Sequence, residues 1–449
     1  MIPSRPSERG QALVLIMLAI VGVFGFSALA IDGGMLYAER RRAQNAADTS
    51  VFAAAMTGLE KGNYVAAGLT QASMNGFVTD GKNQVSVNHP PASGIFAGNN
   101  DYYQVIIKTE FSPFFAQFVY SGTLQNTVEA VARAKPSTSL SPGNAVHATS
   151  KDQCHALWFQ GSSGTIIKDG GIYSNSSVEG TASCSSILNK NGDLTIQNGS
   201  VTAVGGIYVA DEIVMLDELG NPMDADEIDD SINDHITAGE KIDIPDIAPP
   251  VCTGMTSRNK TDPGNEVSSK VFVLQPGIYP SGISVGNDEV HLNSGIYCLD
   301  GDLSIDSGSL YGEQVLIYMR GPAGDPSVSL NGGGTIVLTS PTQNPLYDNA
   351  DPPKAWSGMV IFMLNENGGS VDFAGGGASS LWGTIYAPGP LALGGAKSAK
   401  CDITGNSESF RFRAQLICNS VRITGNGTLE INYKEAEQYH EPPTIELSQ

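Results

Sequence analysis

The chain has 449 residues, of which 41% are hydrophobic, 16% are charged and 52 are glycine. The hydrophobic content excludes a disordered chain, since disorder requires low hydrophobicity with high charge, and the length predicts two or three domains. The formal net charge of −21 disfavours nucleic acid as a partner, because its phosphates would repel the protein.

The first predicted element is an apolar run from Gln11 to Ile31 that contains no charged residue. As a helix it is long enough to cross the ~30 Å hydrocarbon core of a bilayer. A cleavable signal peptide is the alternative interpretation, because Ala28-Leu29-Ala30 forms an A-x-A cleavage signal. Helical periodicity continues beyond that point, so we predict that residues 1–59 form an N-terminal tail and a transmembrane stem helix, which acts as a signal-anchor.

One face of this helix carries small and apolar residues at helical spacing. Small side chains allow membrane helices to approach closely, although alanine also favours a helix in its own right. We expect this face to pack against other helices or to stay in lipid. Its residues are Leu29, Leu36, Ala43, Ala47, Val51 and Ala54.

The N-terminal segment contains, in order, Arg9-Gly10, the apolar run, Ala30-Ile31-Asp32, Tyr37 and Gln44-Asn45-Ala46-Ala47-Asp48. Over residues 9–56 it resembles the TadE/TadG-like proteins of the bacterial tight-adherence (Tad, Flp) pilus machinery. The resemblance implies a single-pass, surface-directed protein of pilus assembly and adherence, with other Tad-system subunits and membrane lipid as partners. Prepilin processing in this family requires a Glu five residues after the cut glycine. Here Leu15 stands at that offset from Gly10, which favours an anchored, TadG-like protein over a processed pilin.

Residues 60–135 predict a small α/β module that agrees more weakly with the same family. A helix is expected at residues 63–78, and alternating polar and apolar residues predict three strands between residues 84 and 134. The Pro, Ser and Gly residues of segment 136–144 then predict a linker between domains.

Residues 145–432 contain short hydrophobic alternations with Gly or Asn at their ends, and Gly-Ile-Tyr recurs four times. Repetition without a fixed period predicts a right-handed parallel β-helix, with a β-sandwich as the alternative. Residues 433–449 are expected to form a polar tail. The predicted fold class is therefore mixed, with a long helix and a small α/β module followed by a mainly-β domain.

The six cysteines all follow the apolar run, and none forms a C-x-x-C pair of the kind that binds zinc. We therefore predict disulfide bonds in an oxidising, extracytoplasmic compartment rather than six free thiols. This location is preferred although the arginines at 40–42 make the positive-inside count point the other way. Six cysteines allow 15 connectivities, and sequence proximity favours Cys154–Cys184, Cys252–Cys298 and Cys401–Cys418.

An acidic segment from about residue 211 to 246 interrupts the repeats, with 13 acidic residues against one lysine. The EF-hand pattern is absent, so a solvated loop is favoured over a Ca²⁺ site, which is the alternative. No other cofactor is predicted.

A polysaccharide lyase or glycoside hydrolase is the alternative to a non-enzymatic role. The acids that could line one face of successive coils are Asp300 and Asp302, with Asp306, and the candidate bases or clamps are Arg320, Arg411 and Arg413. Gly-Asp turns are typical of β-helix corners, and the G-x-S-x-G, P-loop and HExxH motifs are absent from the sequence. We therefore predict no catalytic residue.

The sequence thus predicts a non-enzymatic protein of a bacterial cell surface, anchored in the inner membrane or incorporated in a pilus. Its β-helix would be presented for adhesion to a glycan or another surface. Aromatic side chains can stack on sugars, although they are more often packed in a core. The candidate glycan contacts are Trp158, Trp356, Trp382 and Tyr386.

Overall fold

The computed structural model describes residues 9–115, 122–161, 164–211, 213–223, 240–321, 324–331, 333–342, 356–374, 379–389, 399–405, 410–425 and 427–448, with the side chains of residues 9–12 and 410 excepted. The chain forms two compact units. The first contains Met1–Thr138 and Pro442–Gln449, and the second contains Ser139–Glu441. The coarse prediction is confirmed, because a long apolar helix is followed by a mostly-β body with parallel sheets.

The first unit consists of two helices and a four-stranded antiparallel sheet. Helix α1 spans Arg9–Leu59, and no proline interrupts it. Helix α2 spans Tyr64–Met74, and the Asn63 side chain caps it by accepting a 3.0 Å hydrogen bond from the backbone N–H of Ala66. In order across the sheet, the strands are β1 (Asn83–Asn88), β2 (Tyr102–Phe111), β3 (Leu124–Lys135) and the C-terminal strand Thr444–Ser448.

The C-terminal strand changes the domain boundaries that the sequence predicted. It pairs with β3 in antiparallel register, and Thr444 lies opposite Lys135. Residues 433–449, expected as a polar tail, therefore supply a strand of the first unit. The edge of β3 presents backbone groups that need a partner strand, and sequence periodicity cannot identify a partner so far along the chain.

The second unit is built from short strands, in which successive side chains point to opposite faces. Alternation of buried and partly exposed residues follows along about half of them. In chain order the strands are β4 (Thr138–Ser139), β5 (Asn144–Ala148), β6 (Leu157–Gly161), β7 (Thr165–Lys168), β8 (Gly171–Ser174), β9 (Ile187–Lys190), β10 (Leu194–Gln197), β11 (Val201–Ala203), β12 (Ile207–Val209), β13 (Ile213–Leu216), β14 (Glu266–Ser268), β15 (Val271–Leu274), β16 (Gly277–Tyr279), β17 (Ile283–Gly286), β18 (Glu289–Leu292), β19 (Gly295–Leu299), β20 (Leu303–Ile305), β21 (Ser309–Gly312), β22 (Val315–Met319), β23 (Val328–Leu330), β24 (Ile336–Thr339), β25 (Met359–Met363), β26 (Val371–Phe373), β27 (Ser380–Ala387), β28 (Lys400–Gly405), β29 (Phe410–Cys418), β30 (Ser420–Gly425), β31 (Leu429–Asn432) and β32 (His440–Glu441), and the C-terminal strand is β33.

Strands β5 to β31 form one sheet of 18 strands and another of nine, whereas β4 and β32 pair with each other in a two-stranded sheet. The ladders of the two large sheets are parallel, except that β14 runs antiparallel to β15. Buried side chains stack in register between them, as Val290, Leu310 and Ile336 do on β18, β21 and β24. Immunoglobulin-type β-sandwiches use antiparallel strands, so the observed pairing disfavours that alternative.

The chain enters the second unit in the middle of its ladders. Strand β5 pairs with β29 on one side and β8 on the other, and β6 lies in the same way between β30 and β9. From there the strands are added outward as far as β13, whereas β15 to β31 return from the opposite end. The connection between β13 and β15 therefore starts and finishes at opposite ends of the ladders.

Part of that connection, residues 240–258, lies against the ladders and is called the strap below. Asn175 holds it through two hydrogen bonds, in which its side-chain amide donates to the carbonyl of Ile242 at 2.7 Å and accepts from the N–H of Ile242 at 3.0 Å. The disulfide Cys252–Cys298 joins it to β19. Its apolar side chains cover a buried cluster on the outside of β19, β22, β25 and β27. They are Ile244, Ile247, Cys252 and Met255.

A buried polar network joins the segments where the chain enters and leaves the second unit. The Gln415 side chain donates to the carbonyls of Ser141 and Asn144, at 2.8 and 2.9 Å. The Gln438 side chain accepts a 3.0 Å hydrogen bond from the backbone N–H of Gln415. Segment 136–144, expected as a linker, is therefore packed at its end, since Ser141 and Leu140 are buried.

His147 on β5 is also fully buried in this region. Its Nδ1 lies 2.8 Å from the hydroxyl of Ser141, and its ring packs against Tyr173 with a centroid distance of 5.1 Å. Its Nε2 has no hydrogen-bond partner in the described part of the chain. Burial lowers the pKa of His147 to about 3, because the charged imidazolium would lose its hydration.

Candidate functional site

The apolar half of α1 is the first candidate site. Its large side chains are exposed in the chain itself, from 46% at Ile31 to 78% at Phe26. By length and composition α1 is able to cross a membrane, with a mean hydropathy of 2.7 in its most apolar window. Apart from the adjoining residues and the backbone of the helix itself, no described atom lies within 4 Å of the positions that Cβ atoms would take at Gly22 and Gly25. This surface requires lipid or other helices as its partner, since so large an apolar area is unfavourable in water.

Asp32 is the first buried side chain along α1 among those that the structure describes. The side chain is only 4% exposed, and its carboxylate accepts hydrogen bonds from the backbone N–H groups of Phe114 and Phe115, at 2.9 and 3.0 Å. A carboxylate that accepts backbone N–H bonds forms strong, charge-assisted contacts. The Ala30-Ile31-Asp32 motif therefore fixes the loop after β2 to the stem, a role that the sequence alone did not assign.

Two further side chains tie α1 to β3 by hydrogen bonds. The Asn126 amide donates to the carbonyl of Leu36 at 3.3 Å. The Gln44 amide donates to the carbonyl of Glu129 at 3.1 Å and to the carboxylate of Asp48 at 2.8 Å. The first and last residues of the Gln44–Asp48 motif thus cooperate in docking the helix on the sheet.

The predicted stem-packing face is divided in two by this docking. Leu29 is 69% exposed and Leu36 is partly buried. The remaining four residues are completely buried in the core between α1, α2 and the sheet of the first unit. They are Ala43, Ala47, Val51 and Ala54. Small residues are needed there because the sheet approaches closely, and at Gly58 a Cβ atom would lie 2.1 Å from the Tyr103 hydroxyl.

The six cysteines form the three bonds that sequence proximity favoured. They are Cys154–Cys184, Cys252–Cys298 and Cys401–Cys418, and no cysteine is free. The first bond joins the segments before β6 and β9, and the third joins β28 to β29. Each bond therefore links neighbouring turns of the parallel body or holds the strap.

The four aromatic residues predicted as glycan contacts do not form one exposed patch. Tyr386 is buried, and its ring stacks on Phe362 at 5.3 Å. Trp356 packs against the same Phe362 at 5.2 Å. Trp158 on β6 is partly exposed, and Trp382 on β27 is 40% exposed. Of the four, Trp382 has the most accessible ring.

Two of the three candidate catalytic carboxylates, those of Asp300 and Asp302, are engaged in structural contacts, whereas Asp306 is exposed. Asp300 and Arg320 form a two-point ion pair, with N–O distances of 2.8 and 2.6 Å. The Asp302 carboxylate accepts a 2.8 Å hydrogen bond from the backbone N–H of Ser327 on the next turn of the chain. Arg411 and Arg413 lie away from these residues, on β29.

The core of the acidic segment, residues 224–239, lies outside the described residues, so its predicted loop and the alternative Ca²⁺ site remain predictions. Among the residues that the structure describes, no group of three or more His, Cys, Asp or Glu side chains could hold a metal ion.

Together these features define a class of protein with a membrane-crossing type of stem, a small module docked on that stem, and a parallel β body. Residues 10–57 match the model of a family described as putative Flp pilus-assembly TadE/G-like (Tad). The matched residues lie within α1 and include both motifs that dock it. The resemblance is thus confirmed for this segment, and it supports a Tad pilus-associated protein. No curated protein matches the chain.

Proposed function

We propose that the chain is a non-enzymatic surface component of a Tad/Flp-type pilus system, either anchored by α1 in the inner membrane or incorporated in the pilus as a minor or tip subunit. The observation that carries this proposal is the agreement between the family match and the structure of α1. The matched segment covers both the exposed apolar half and the docked half of the helix. Other pilus subunits or membrane lipid would cover the exposed half.

The second unit is, in this proposal, a right-handed parallel β-helix that is displayed for adhesion. Its long parallel ladders and the in-register stacking of buried side chains support a solenoid. A rigid body of this kind would present long, regular faces to a glycan or another surface. The ion pair of Asp300 with Arg320 and the structural contact of Asp302 favour a binding role over hydrolysis.

Extracytoplasmic orientation is proposed from the disulfides. Disulfides form and persist in oxidising compartments, and each of the three here joins segments of the second unit. With α1 in the inner membrane, both compact parts that follow residue 32 would then lie outside the cytoplasm. We expect no nucleic-acid partner, because the net charge is −21.

The mature N-terminus tests the anchoring. Mass spectrometry of the chain isolated from bacterial membranes should find Met1 or Ile2 at the start, together with membrane association. A start at Gln11 would place the protein in the filament through prepilin processing. A start at Ile31 would contradict both forms of the proposal, since the exposed apolar helix would be removed.

Deletion of residues 139–441 tests the adhesive role. The first unit can close over this gap because Lys135 and Thr444 are paired neighbours in its sheet. Cells that carry the shortened chain should keep the stem protein in the membrane but lose attachment. Unchanged attachment, with the full-length protein shown to reach the surface, would refute the adhesive role.

A further inference from the structure

A pair of arginines and a tryptophan lie together on the outer face of β27 and β29. Arg411 and Arg413 flank Phe412, whose side chain is completely buried, so both arginines point away from the core. The parallel register places Trp382 beside Arg413 and Ser380 beside Arg411. The Arg413 guanidinium lies over the Trp382 ring, 4.6 Å from its centroid.

The two guanidinium groups are not neutralised within the described part of the chain. Neither Arg411 nor Arg413 takes part in an ion pair there. The nearest acid in register is Glu430 on β31, opposite Arg411, but it pairs with Lys168 at 3.2 Å. Two neighbouring positive charges, an exposed one at Arg411 and a partly exposed one at Arg413, therefore lie on a protein with a net charge of −21. Like charges repel, so the arrangement is favourable when an anion binds between them.

A second Arg–Trp pair shows that stacking alone does not create such a site. On β30, Arg422 lies over Trp158 at 4.4 Å. Its register neighbour is Asp402, which is followed by Asp372 on the next strand. Burial and the nearby Asp372 raise the pKa of Asp402, and Arg422 opposes that rise. The charge of Arg422 is therefore balanced by nearby carboxylates, whereas Arg411 and Arg413 are able to bind an external anion.

We propose that Arg411, Arg413 and Trp382 form a binding site for an acidic polysaccharide, that is, a chain of sugars that carry carboxylate groups. The planar guanidinium fork matches a carboxylate in two-point geometry. The Trp382 ring, 40% exposed, offers an apolar face against which a sugar ring can stack. This inference rests on the proposed adhesive function and names the class of ligand.

The face continues beyond this site along one register line. Arg411, Ser380, Val337 and Tyr311 follow one another on β29, β27, β24 and β21. Neighbouring strands are about 4.8 Å apart, so this line extends over about 14 Å. A linear polymer is suited to such a row. Nucleic acid is disfavoured relative to such a polymer, because a DNA duplex carries one negative charge per about 1.7 Å and would meet more repulsion from the acidic body than a chain with one carboxylate per sugar.

Binding of the purified full-length chain in detergent tests the site. Biolayer interferometry would compare immobilised sodium polygalacturonate, neutral dextran and double-stranded DNA. We expect binding to polygalacturonate only, and weakening with added NaCl because the contacts are ionic. R411Q/R413Q should bind about a hundredfold more weakly, at about tenfold per arginine, and W382L about fivefold more weakly.

R422Q is the matched control, because it removes an arginine stacked on a tryptophan at the other sheet. Its affinity should stay within about twofold of the unchanged chain. The proposal is overturned if R411Q/R413Q binds normally, if R422Q weakens binding equally, or if the unchanged chain prefers dextran or DNA or binds none of the polymers. Circular dichroism would verify that each variant is folded. Cells that still attach through residues 139–441 despite such a failure would leave the proposed function standing and refute only this site.

Discussion

The buried imidazole of His147 allows a sharp prediction about stability and pH. Its pKa is about 3 in the folded protein, mainly because burial disfavours the charged form, against 6.5 when the residue is unfolded. Below pH 6.5 His147 therefore binds a proton in the unfolded chain, whereas in the folded chain it stays neutral down to about pH 3. The contribution of neutral His147 is fully present above pH 6.5 and is lost as the pH falls toward 3.

The size of this effect follows from the two pKa values. Each pH unit below 6.5 lowers the free energy of unfolding by about 1.4 kcal/mol, so the loss at pH 4.5 is about 3 kcal/mol. We expect H147Q to lack this part of the pH dependence. The assay follows the unfolding of the second unit by urea in both proteins at pH 7.0 and pH 4.5. The free energy of unfolding of the unchanged chain, relative to that of H147Q, should fall by about 3 kcal/mol from pH 7.0 to pH 4.5.

The control for this experiment is S141A. It removes the hydroxyl that lies 2.8 Å from Nδ1 of His147 but keeps the buried imidazole. S141A should therefore lose stability at both pH values and retain the steep pH dependence. A stability difference between the unchanged chain and H147Q that does not vary with pH would refute the reasoning, because the imidazole would then titrate alike in both states.

Three other predictions concern the stem and the strap. D32A should destabilise the first unit by about 3 kcal/mol and expose the amides of Phe114 and Phe115 to hydrogen exchange, whereas D32N should keep part of the protection. G58A should destabilise the first unit by about 1–3 kcal/mol in thermal unfolding, because the added Cβ atom would clash with the Tyr103 side chain. G34A should not, because no described side chain lies within 4 Å of the Cβ position there. Replacing both cysteines of the strap disulfide by serine should cost about 4 kcal/mol, given the sequence separation of 46, and unchanged urea unfolding would contradict this.

Local sequence patterns predicted the elements of the chain well. The helix expected at residues 63–78 is α2, Tyr64–Met74, and the strand expected at 102–111 is β2, Tyr102–Phe111. Periodicity reports which side chains share a face, and this information is present in any short window. The disulfide pairs were also accessible, because each joins cysteines that are neighbours in the sequence.

The candidate sites were predicted less completely. The sequence singled out the Asp32 and Gln44–Asp48 motifs through a family resemblance but did not predict which groups either motif contacts. It also grouped Trp382 with Tyr386, although the first is exposed and the second is buried. Residues four apart on a strand of eight share a face when the strand is regular. Trp382 and Tyr386 do share the outer face of β27, because Leu381 and Ile385 belong to the central core, but Tyr386 is buried there in the cluster that the strap covers.

The sequence by itself determined the apolar stem, the short strands and the acidic charge, because these depend only on composition and local spacing. Only the tertiary structure decided that the chain enters its parallel body between β29 and β8, and that its last strand returns to β3. The physical reason is that backbone hydrogen bonding is the same for every strand. Which strands become neighbours is then decided by side-chain packing between residues that lie hundreds of positions apart, as Gln415 and Ser141 do.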